Sequence, residues 1–175
     1  MSPDALRDTV AALLPGATVF PPDETRGQAV VVVERGTIRQ ALETLRDHPD
    51  LRFELLSDLT AVDYLGRVPR FEVIYHLYSL THNHRLRVKV LLPEDALELA
   101  SATPVWKSAN WAEREVWDMF GIRFTGHPDL RRILMYPEFV GHPLRKDYPL
   151  QRRQPLVPER DPITQPWKTR QSAPS

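Results

Sequence analysis

Residues 71–92 read FEVIYHLYSLTHNHRLRVKVLL, and this stretch decides the predicted fold. Its first half is rich in aromatic and β-branched residues, which favour a strand. From Arg85 to Leu92 every second side chain is apolar (Leu86, Val88, Val90 and Leu92), and the intervening ones are charged apart from Leu91, which is the period of a strand with one buried face. The intervening residues 81–84, THNH, suit a turn because Asn83 tolerates a positive φ. The stretch therefore predicts an antiparallel hairpin.

The segments around the hairpin supply helices and further strands. Residues 3–14 have apolar side chains at helical spacing, with Ser2 placed as N-cap and Pro3 in the first turn. The other predicted elements are a polar connection over 20–27, a buried strand over 29–33, a helix over 37–48 capped by Thr37, a less regular strand over 53–64, and a small helix over 94–100. Together they predict an α+β fold, with helices packed on an antiparallel or mixed sheet.

Residues 110–121 carry the best-specified helix pattern. Asn110 as N-cap with Glu113 three residues later fits a capping box, and Gly121 is typical of a helix that ends there. At helical spacing the apolar stripe is predicted to comprise Ala112, Val116, Met119 and Phe120. Three charged residues are predicted on the far side of this helix: Arg114, Glu115 and Asp118.

The charged face of this helix has two interpretations. In the first it is solvated, and a pair such as Arg114 with Asp118 contributes roughly 0.3–0.5 kcal/mol. In the second, Glu115 and Asp118 receive the planar guanidinium of Arg131, of Arg132 or of a partner protein as bidentate pairs. Trp111 and Trp117 and the arginines that follow support the second interpretation, so that the two interpretations stand equal.

After Gly126 the composition changes. Nine of the 17 prolines fall in residues 127–175, and basic residues outnumber acidic ones there. Proline removes a backbone donor and interrupts both helices and sheets. The sequence therefore predicts two parts: an α+β domain over 1–126 and an extended, Pro- and Arg-rich C-terminal arm over 127–175 that wraps partner proteins.

Composition excludes several classes of function. The chain has 0 cysteines, which leaves no disulfide, no thiol nucleophile and no cysteine-held zinc or iron–sulfur cluster. Its 23 basic and 23 acidic residues balance, so no net charge attracts nucleic acid or an anionic membrane. No apolar run approaches the roughly 20 residues of a membrane span, and the N-terminus lacks the pattern of a signal or transit peptide. The expectation is a soluble cytoplasmic protein.

Three other functions remain as alternatives: catalysis by acidic residues, binding of nucleic acid and binding of a metal. Glu113, Glu115 and Asp118 are candidate catalytic acids, but an adjacent Arg114 is expected to lower carboxyl pKa values rather than separate them. A nucleic-acid patch is the second alternative, but acidic residues interrupt it and no RNA-binding motif accompanies it. Its candidate residues are Arg145, Lys146, Tyr148, Arg152 and Arg153. No glycine-rich phosphate loop is present.

A metal site is the third alternative, because the chain has six histidines. No compact ligand spacing connects them. His82 and His84 are expected on an exposed turn. His127 and His142, each in a Gly-His-Pro triplet, are expected to orient backbone or to bond a partner.

Several motifs in fixed order carry a resemblance to a known family. They are EREVWDMFGI at 113–122, FTGHPDLRRILM at 124–135 and GHPLRKDYPL at 141–150, preceded by DLTAVDYLGR at 58–67, RFEVIYHLYSL at 70–80 and NHRLRVKV at 83–90. With these, residues 52–150 closely resemble the 30 kDa subunit family, also called the C subunit, of respiratory complex I, the proton-pumping NADH-quinone oxidoreductase. Residues 1–50 and the tail beyond about 153 match no pattern of that family.

The resemblance implies a peripheral-arm subunit without a cofactor of its own, in a complex where FMN and Fe–S clusters carry electrons from NADH to quinone. It implies contacts with the quinone-reactive D subunit, with the Fe–S-carrying B and I subunits, and possibly with the G subunit. The matched residues are expected to serve packing and interfaces rather than turnover. They are Glu113, Arg114, Glu115, Asp118, His127, Arg131, Arg132, His142, Arg145, Lys146, Asp147 and Tyr148.

The resemblance also bears on the setting of the protein. Some relatives are fused to the D subunit, and this chain is expected to be the unfused form. Without a transit peptide, a bacterial origin is expected, with the subunit held peripherally on the cytoplasmic face of the cell membrane. Related subunits occur in membrane-bound hydrogenases and in NDH-type complexes, so the family leaves the electron donor open.

Overall fold

The structure, a computed structural model, describes residues 2–20, 25, 27–151, 153, 154 and 156. In chain order the elements are α1 (Pro3–Leu13), β1 (Thr18–Phe20), β2 (Ala29–Val32), a 3₁₀ turn (Arg35–Thr37), α2 (Ile38–Asp47), β3 (Leu55–Asp63), β4 (Phe71–Ser79), β5 (His84–Leu92), β6 (Glu98–Ala100), α3 (Ala109–Phe120) and β7 (Arg123–Thr125). Within the described residues, β7 is the last regular element, so residues 126–151 contain neither helix nor strand.

The predicted hairpin forms the centre of the fold. β4 and β5 pair antiparallel from Phe71 opposite Leu92 to Ser79 opposite His84, and Asn83 in the turn has φ 50°. The main sheet has the order β1-β2-β5-β4-β3, and it is mixed because β2 runs parallel to β5 while the other pairs are antiparallel. The predicted α+β class is confirmed.

The core lies between the sheet and its helices. Alternate residues of β4 and β5 are fully buried, among them Val73, Tyr75, Val88 and Val90. Helix α1 packs beside β1 and β2, and α3 packs on β3. Since burying one large apolar side chain contributes about 1.5–3 kcal/mol, this shared interior is the main source of stability.

The N-terminal elements match the sequence pattern in part. Ser2 caps α1 as predicted, with its hydroxyl accepting the Ala5 N–H at 3.2 Å. Thr37 does not cap α2: its hydroxyl donates to the Glu34 carbonyl at 3.2 Å, and a 3₁₀ turn leads into the helix. The short strand β1, at the start of the predicted connection, was not predicted because its three residues are too few for a visible alternation.

The predicted helix over residues 94–100 is wrong. The chain turns after Pro93, and Glu98–Ala100 form strand β6, parallel to β7, with Leu99 buried against Phe124 at the paired register position. Strand β7 lies more than twenty residues further along the chain, so the pairing that decides this conformation is invisible to a local pattern. Tertiary context overrides a weak helix propensity here.

The expected position of His84 is also wrong. The sequence pattern places it on an exposed turn with His82, but it is the first residue of β5 and is buried. Its Nε2 donates to the Leu51 carbonyl at 2.8 Å, and its ring packs 4.9 Å from that of Phe53. Burial lowers its pKa, which favours the neutral ring.

Candidate functional site: helix α3 and the segment it holds

Helix α3 begins one residue before the predicted start. Ser108 occupies the N-cap position, but its hydroxyl donates to the Leu56 carbonyl at 3.4 Å and does not cap the helix. Asn110 lies inside the helix, so the predicted capping box is wrong. The C-terminal prediction is confirmed, because Gly121 adopts the left-handed conformation at φ 79° and donates its N–H to Trp117. Buried residues lie on more than one side of α3, since both the sheet and the C-terminal segment cover it.

Glu113 lies in the interior and not at the helix N-terminus. Its carboxylate is 0% exposed and accepts the Ser101 hydroxyl at 2.6 Å and the Ala102 N–H at 2.5 Å. Burial raises its pKa to about 7, although these two hydrogen bonds and the nearby Arg39 act in the opposite direction. The expectation of a lowered pKa is wrong for this residue, because loss of hydration outweighs its partners.

Asp118 has the opposite electrostatic environment. One carboxylate oxygen accepts the backbone N–H groups of Ile133, Leu134 and Met135 at 3.1, 2.9 and 2.9 Å. The other accepts Nη1 of Arg132 at 2.5 Å. Burial alone would raise the pKa of Asp118, but these bonds outweigh it and lower the pKa below its usual range. A buried carboxylate thus fixes three consecutive backbone groups of the C-terminal segment.

The two arginines beside Asp118 hold the same segment. Arg132 pairs with Asp118, as one of the two interpretations predicted, and donates through Nη2 to the Gly141 carbonyl at 3.0 Å. Arg114 does not pair with Asp118; it donates to the carbonyls of Arg131 and Arg132 at 3.1 and 3.3 Å. The interpretation of a solvated face is wrong for Arg114 and Asp118, which are 7% and 0% exposed.

The C-terminal end of α3 is closed by the same segment. A helix leaves its last four carbonyls without helical partners. Gly121 satisfies the first of them. The remaining three carbonyls, of Asp118, Met119 and Phe120, accept His142 Nδ1 at 3.0 Å, the Leu144 N–H at 3.1 Å and Arg145 Nε at 2.6 Å. The Arg145 cation also lies at the negative end of the helix dipole.

Gly121 is required by this closure as well as by its φ. A Cβ at that position would lie 2.6 Å from His142 Nε2 and 2.9 Å from Arg145 Nη2. Burial lowers the pKa of His142, which favours the neutral ring, and its Nδ1 donates to the Asp118 carbonyl at 3.0 Å. Sequence reasoning identified both residues but assigned Gly121 only to the helix end.

A second group of charged residues anchors the C-terminal segment at the C-terminal end of β3, where Asp63 lies. Arg70 is 4% exposed and forms a bidentate pair with Asp63 at 2.8 and 2.7 Å, while Asp147 contacts the same guanidinium at 3.0 Å. The Lys146 N–H donates to Asp63 at 2.8 Å, and Glu94 adds a pair to Arg70 at 2.6 Å. Hydrogen bonds from Arg70 are the first cause of the lowered pKa values of Asp63 and Asp147.

Sequence reasoning missed Asp63 and Arg70 as members of the site. A signal was present, because Asp63 falls in phase with Leu59 and Ala61, the buried positions of β3. A carboxylate at an inward position requires a partner. Arg70, just before β4, is the nearest candidate across the short loop that joins the strands.

The remaining predicted residues are spread over the surface of the segment. His127 bonds the Asn110 carbonyl through Nε2 at 3.1 Å and accepts the Asp129 N–H at 3.0 Å, so it orients backbone as expected. Arg131 pairs with Asp129 in solvent at 3.0 Å. Tyr148 stacks on Phe139 and bonds Gln154. Glu115 is exposed, and no hydrogen bond or ion pair joins its side chain to another described residue.

The charged groups of the site hold backbone and side chains of the same chain in place. The buried carboxylates of Asp63, Glu113 and Asp118 each face two or more donors, and the arginines beside them face carboxylates or carbonyls. Among the described residues no three His, Asp or Glu side chains are grouped so as to hold a metal ion. Over the same residues, none of the helices has the length and hydropathy needed to span a bilayer.

The fold and site define a class of protein: an α+β domain whose buried charge pairs fasten a proline-rich extension onto its last helix. Comparison with known sequences identifies the family. The family model described as "Respiratory-chain NADH dehydrogenase, 30 Kd subunit" matches residues 31–154. The chain belongs to this family, which confirms the resemblance found in its motifs, and it is therefore part of a multi-subunit oxidoreductase complex.

Individual relatives agree with the family model. The chain is 53% identical over 139 residues to the C subunit of NADH-quinone oxidoreductase from Citrifermentans bemidjiense, covering 79% of this chain and 82% of the relative. It is 46% identical over 155 residues to the C 2 subunit of the same enzyme from Rhizobium etli, covering 86% and 82%.

Two solved structures share the fold. One is Nqo5 of the trypsin-resistant fragment (1-134), with 34% identity and a TM-score of 0.61, covering 73% of this chain and 98% of that one. The other belongs to the membrane-bound sulfane sulfur reductase, an archaeal respiratory membrane complex, with 25% identity and a TM-score of 0.72, covering 85% and 86%.

Proposed function

We propose that this chain is a non-catalytic structural subunit of the peripheral arm of a proton-translocating NADH-quinone oxidoreductase. It braces the quinone-reactive D subunit and the Fe–S-carrying B and I subunits, with the G subunit as a further neighbour. Electrons pass from NADH through FMN and Fe–S clusters to quinone in those partners. The subunit lies on the cytoplasmic face of the bacterial membrane and is held there through the complex.

One observation carries this proposal: Arg114 and Asp118, two of the family's charged residues on α3, are occupied in fixing the chain's own C-terminal segment. Asp118 fixes three backbone N–H groups and Arg132, while the end of α3 is closed by residues 142–145. Groups so occupied are unsuited to proton transfer or nucleophilic attack, which require access to a substrate. They are suited to presenting a rigid surface to neighbours.

Rigidity is the physical contribution that such a subunit makes. Electron transfer and quinone chemistry depend on centres held in register, and misplacement by about 1 Å is costly in catalysis. A segment fixed on its own domain loses less conformational entropy when a partner binds than a free segment would. The chain's 0 cysteines support the view that the Fe–S clusters are held by other subunits.

Co-purification tests the proposal. The chain is tagged at its native expression level, membranes are solubilised gently, and every recovered protein is identified. Recovery with the D, B and I subunits and with NADH-quinone oxidoreductase activity is the expected result. A chain that purifies alone contradicts the proposal, and activity or stoichiometric metal in that lone chain would favour the enzyme alternative.

A second candidate is the equivalent subunit of a related membrane-bound hydrogenase or NDH-type complex. The likeness to a chain of the sulfane sulfur reductase supports considering it, because that fold serves a different respiratory complex. Recovery of hydrogenase subunits in the same experiment would preserve the structural role and change the electron donor.

An RNA-binding adaptor is the remaining alternative. Arg145, one of its candidate residues, is directed at the Phe120 carbonyl and the Phe71 ring, which argues against a free basic patch. Arg152 lies outside the described residues. Salt-dependent binding of nucleic acid by the purified chain, lost when Arg145, Lys146, Arg152 and Arg153 are replaced, would support this alternative.

A further inference from the structure

An open groove runs beside α3, where the helix meets the C-terminal segment that it holds. It encloses about 640 Å³ between α3 and residues 130–137. Its apolar wall consists of Trp111, Trp117, Leu130, Ile133 and Pro137. Trp111 is 63% exposed although its indole is one of the largest apolar surfaces in the chain. We call this site the Trp111 groove.

The remaining residues of the Trp111 groove are three arginines, and no carboxylate from the described part of the chain lines it. Arg132 is neutralised by Asp118. Arg131 has only a solvent-exposed pair with Asp129, which screening weakens. Arg114 is 7% exposed, and within the described part of the chain no acidic side chain forms an ion pair with it. A buried cation faces the groove without a counter-charge.

The contacts of Arg114 compensate its charge only in part. Its guanidinium lies 4.9 Å from the Trp111 ring and donates to two carbonyl oxygens, which are dipoles and not charges. A buried cation without an anion is costly, and a carboxylate from outside would relieve that cost. A neighbouring groove that shares Trp117 and Leu130 adds Arg123 and His127, and none of the described residues that line it is acidic.

The apolar wall favours a peptide as the source of this anion. Tryptophan and arginine are the residue types that dominate the binding energy of protein interfaces. Phosphate sites also use arginine, but many of them add clustered backbone N–H groups. The nearest such cluster, at residues 133–135, is already bonded to Asp118.

We propose that the Trp111 groove docks a segment of a partner subunit that presents an acidic side chain to Arg114 and Arg131 and an apolar side chain to Trp111 and Trp117. This inference rests on the proposed function and assigns the surface and the chemistry of one contact within it. The chain's own residues 157–175 include Glu159 and Asp161, so they are the competing occupant that a test must exclude.

Site-specific photo-crosslinking in the assembled complex tests the proposal. Trp111→p-benzoylphenylalanine, which keeps an aromatic side chain, is introduced into the tagged full-length chain, and cross-linked peptides are sequenced. The expected product joins residue 111 to a partner segment that contains Asp or Glu. The matched control places the same group at Arg85, an exposed arginine stacked on Tyr78, and is expected not to yield that peptide.

A charge swap gives a second test, in which co-purification is measured without any cross-link. Arg131→Glu is expected to lower co-purification of the partner subunit that the cross-link identified at least tenfold, whereas Arg85→Glu leaves it unchanged. Replacing the partner's identified acid by Arg is expected to restore the recovery with Arg131→Glu.

Other outcomes separate this inference from the proposed function. If the unsubstituted tagged chain recovers no oxidoreductase subunits, the proposed function fails and this inference fails with it. If the complex is recovered but residue 111 cross-links to residues 157–175, to nucleic acid or to nothing, the proposed function stands and the docking proposal is overturned.

Discussion

Two acidic residues five positions apart on α3 have opposite electrostatics. Glu113 is buried with two donors, and its pKa is raised to about 7. Asp118 is also buried, but three backbone N–H groups and an arginine surround it, and its pKa is lowered. Both side chains are 0% exposed, but Glu113 lies deeper in the protein than Asp118. The depth of burial and the number and charge of the donors together decide which protonation state the fold favours.

Glu113 makes the fold less stable as pH rises. Its pKa is 4.5 ordinarily and about 7 in the folded chain, so folding takes up a proton between these values. Stability from this group is fully present below pH 4.5 and declines as pH rises to about 7, by about 3 kcal/mol. We expect Glu113→Gln to flatten this decline in urea unfolding at pH 5, 6, 7 and 8. An unchanged slope would show that Glu113 titrates normally.

Asp118 acts in the reverse direction, because its folded pKa lies below the ordinary 3.8. Its contribution is present above pH 3.8 and is lost as pH falls through the folded value. At pH 7 we expect Asp118→Asn to lower the free energy of unfolding by about 3–5 kcal/mol, since it breaks an ion pair whose carboxylate is buried and leaves the half-buried Arg132 without an anion. Exposed Glu115→Gln is the control, expected within about 0.5 kcal/mol. Equal effects of the two variants would contradict the buried network.

At the scale of elements, α3 and the C-terminal segment form one unit. The helix end has carbonyls that require donors, and residues 142–145 supply them. The segment, rich in proline, has few regular bonds of its own, and Asp118 supplies an acceptor for three of its N–H groups. Each element therefore satisfies polar groups that the other could not pair alone.

Glycine substitutions separate two requirements at the end of α3: the positive φ of Gly121 and the close approach of His142. Gly121→Ala introduces both strain at φ 79° and a Cβ within 2.6 Å of His142. We expect it to release residues 142–145, seen as faster hydrogen exchange at the Leu144 amide. Gly16→Ala, with φ 90° and nothing within 4 Å, carries the strain alone, about 1–2 kcal/mol.

Gly36→Ala completes this series, because its Cβ would meet nothing within 4 Å and no positive φ applies. It is expected to leave exchange at Leu144 unchanged. If Gly121→Ala behaves like Gly16→Ala at that amide, the close approach of His142 has no role in holding the segment.

At the scale of the whole molecule, the charged and aromatic side chains of the described residues fall into two sets. Those of the first set are bonded within the chain, and those of the second are exposed and accessible to other proteins. The anchors at Asp118 and Arg70 belong to the first set. Glu115, Trp111 and Arg131 belong to the second, since they are exposed on the same helix or on the segment that crosses it. Residues fixed internally govern stability, and exposed ones govern association.

Charge reversal at Glu115 tests this division. We expect Glu115→Lys to reduce recovery of the complex while changing the melting temperature of the isolated chain by no more than a few degrees, as is usual for exposed sites. Glu34→Lys, exposed just before the turn that leads into α2, is the control and is expected to leave recovery unchanged. A large fall in melting temperature with intact association would refute this assignment.

From the sequence alone we predict the hairpin, the N-cap of α1, the end of α3 at Gly121, the lack of helix and strand after Gly126, and the family. These features depend on neighbours within a few residues, or on motifs whose order is unmistakable. The alternation in 85–92 predicts a strand whatever lies next to it, and a glycine after an apolar helix predicts a stop in the same way.

Only the tertiary structure decided which charges are buried and what they face. The sequence pattern predicts Glu113 in a capping box and Arg114 opposite Asp118, whereas packing directs Glu113 to Ser101 and Asp118 to Arg132. Packing likewise makes residues 98–100 a strand, through pairing with β7. The physical reason is the same for Glu113, for Asp118 and for residues 98–100. Desolvation and hydrogen-bond partners depend on which distant segments pack together, and a local sequence pattern does not contain that information.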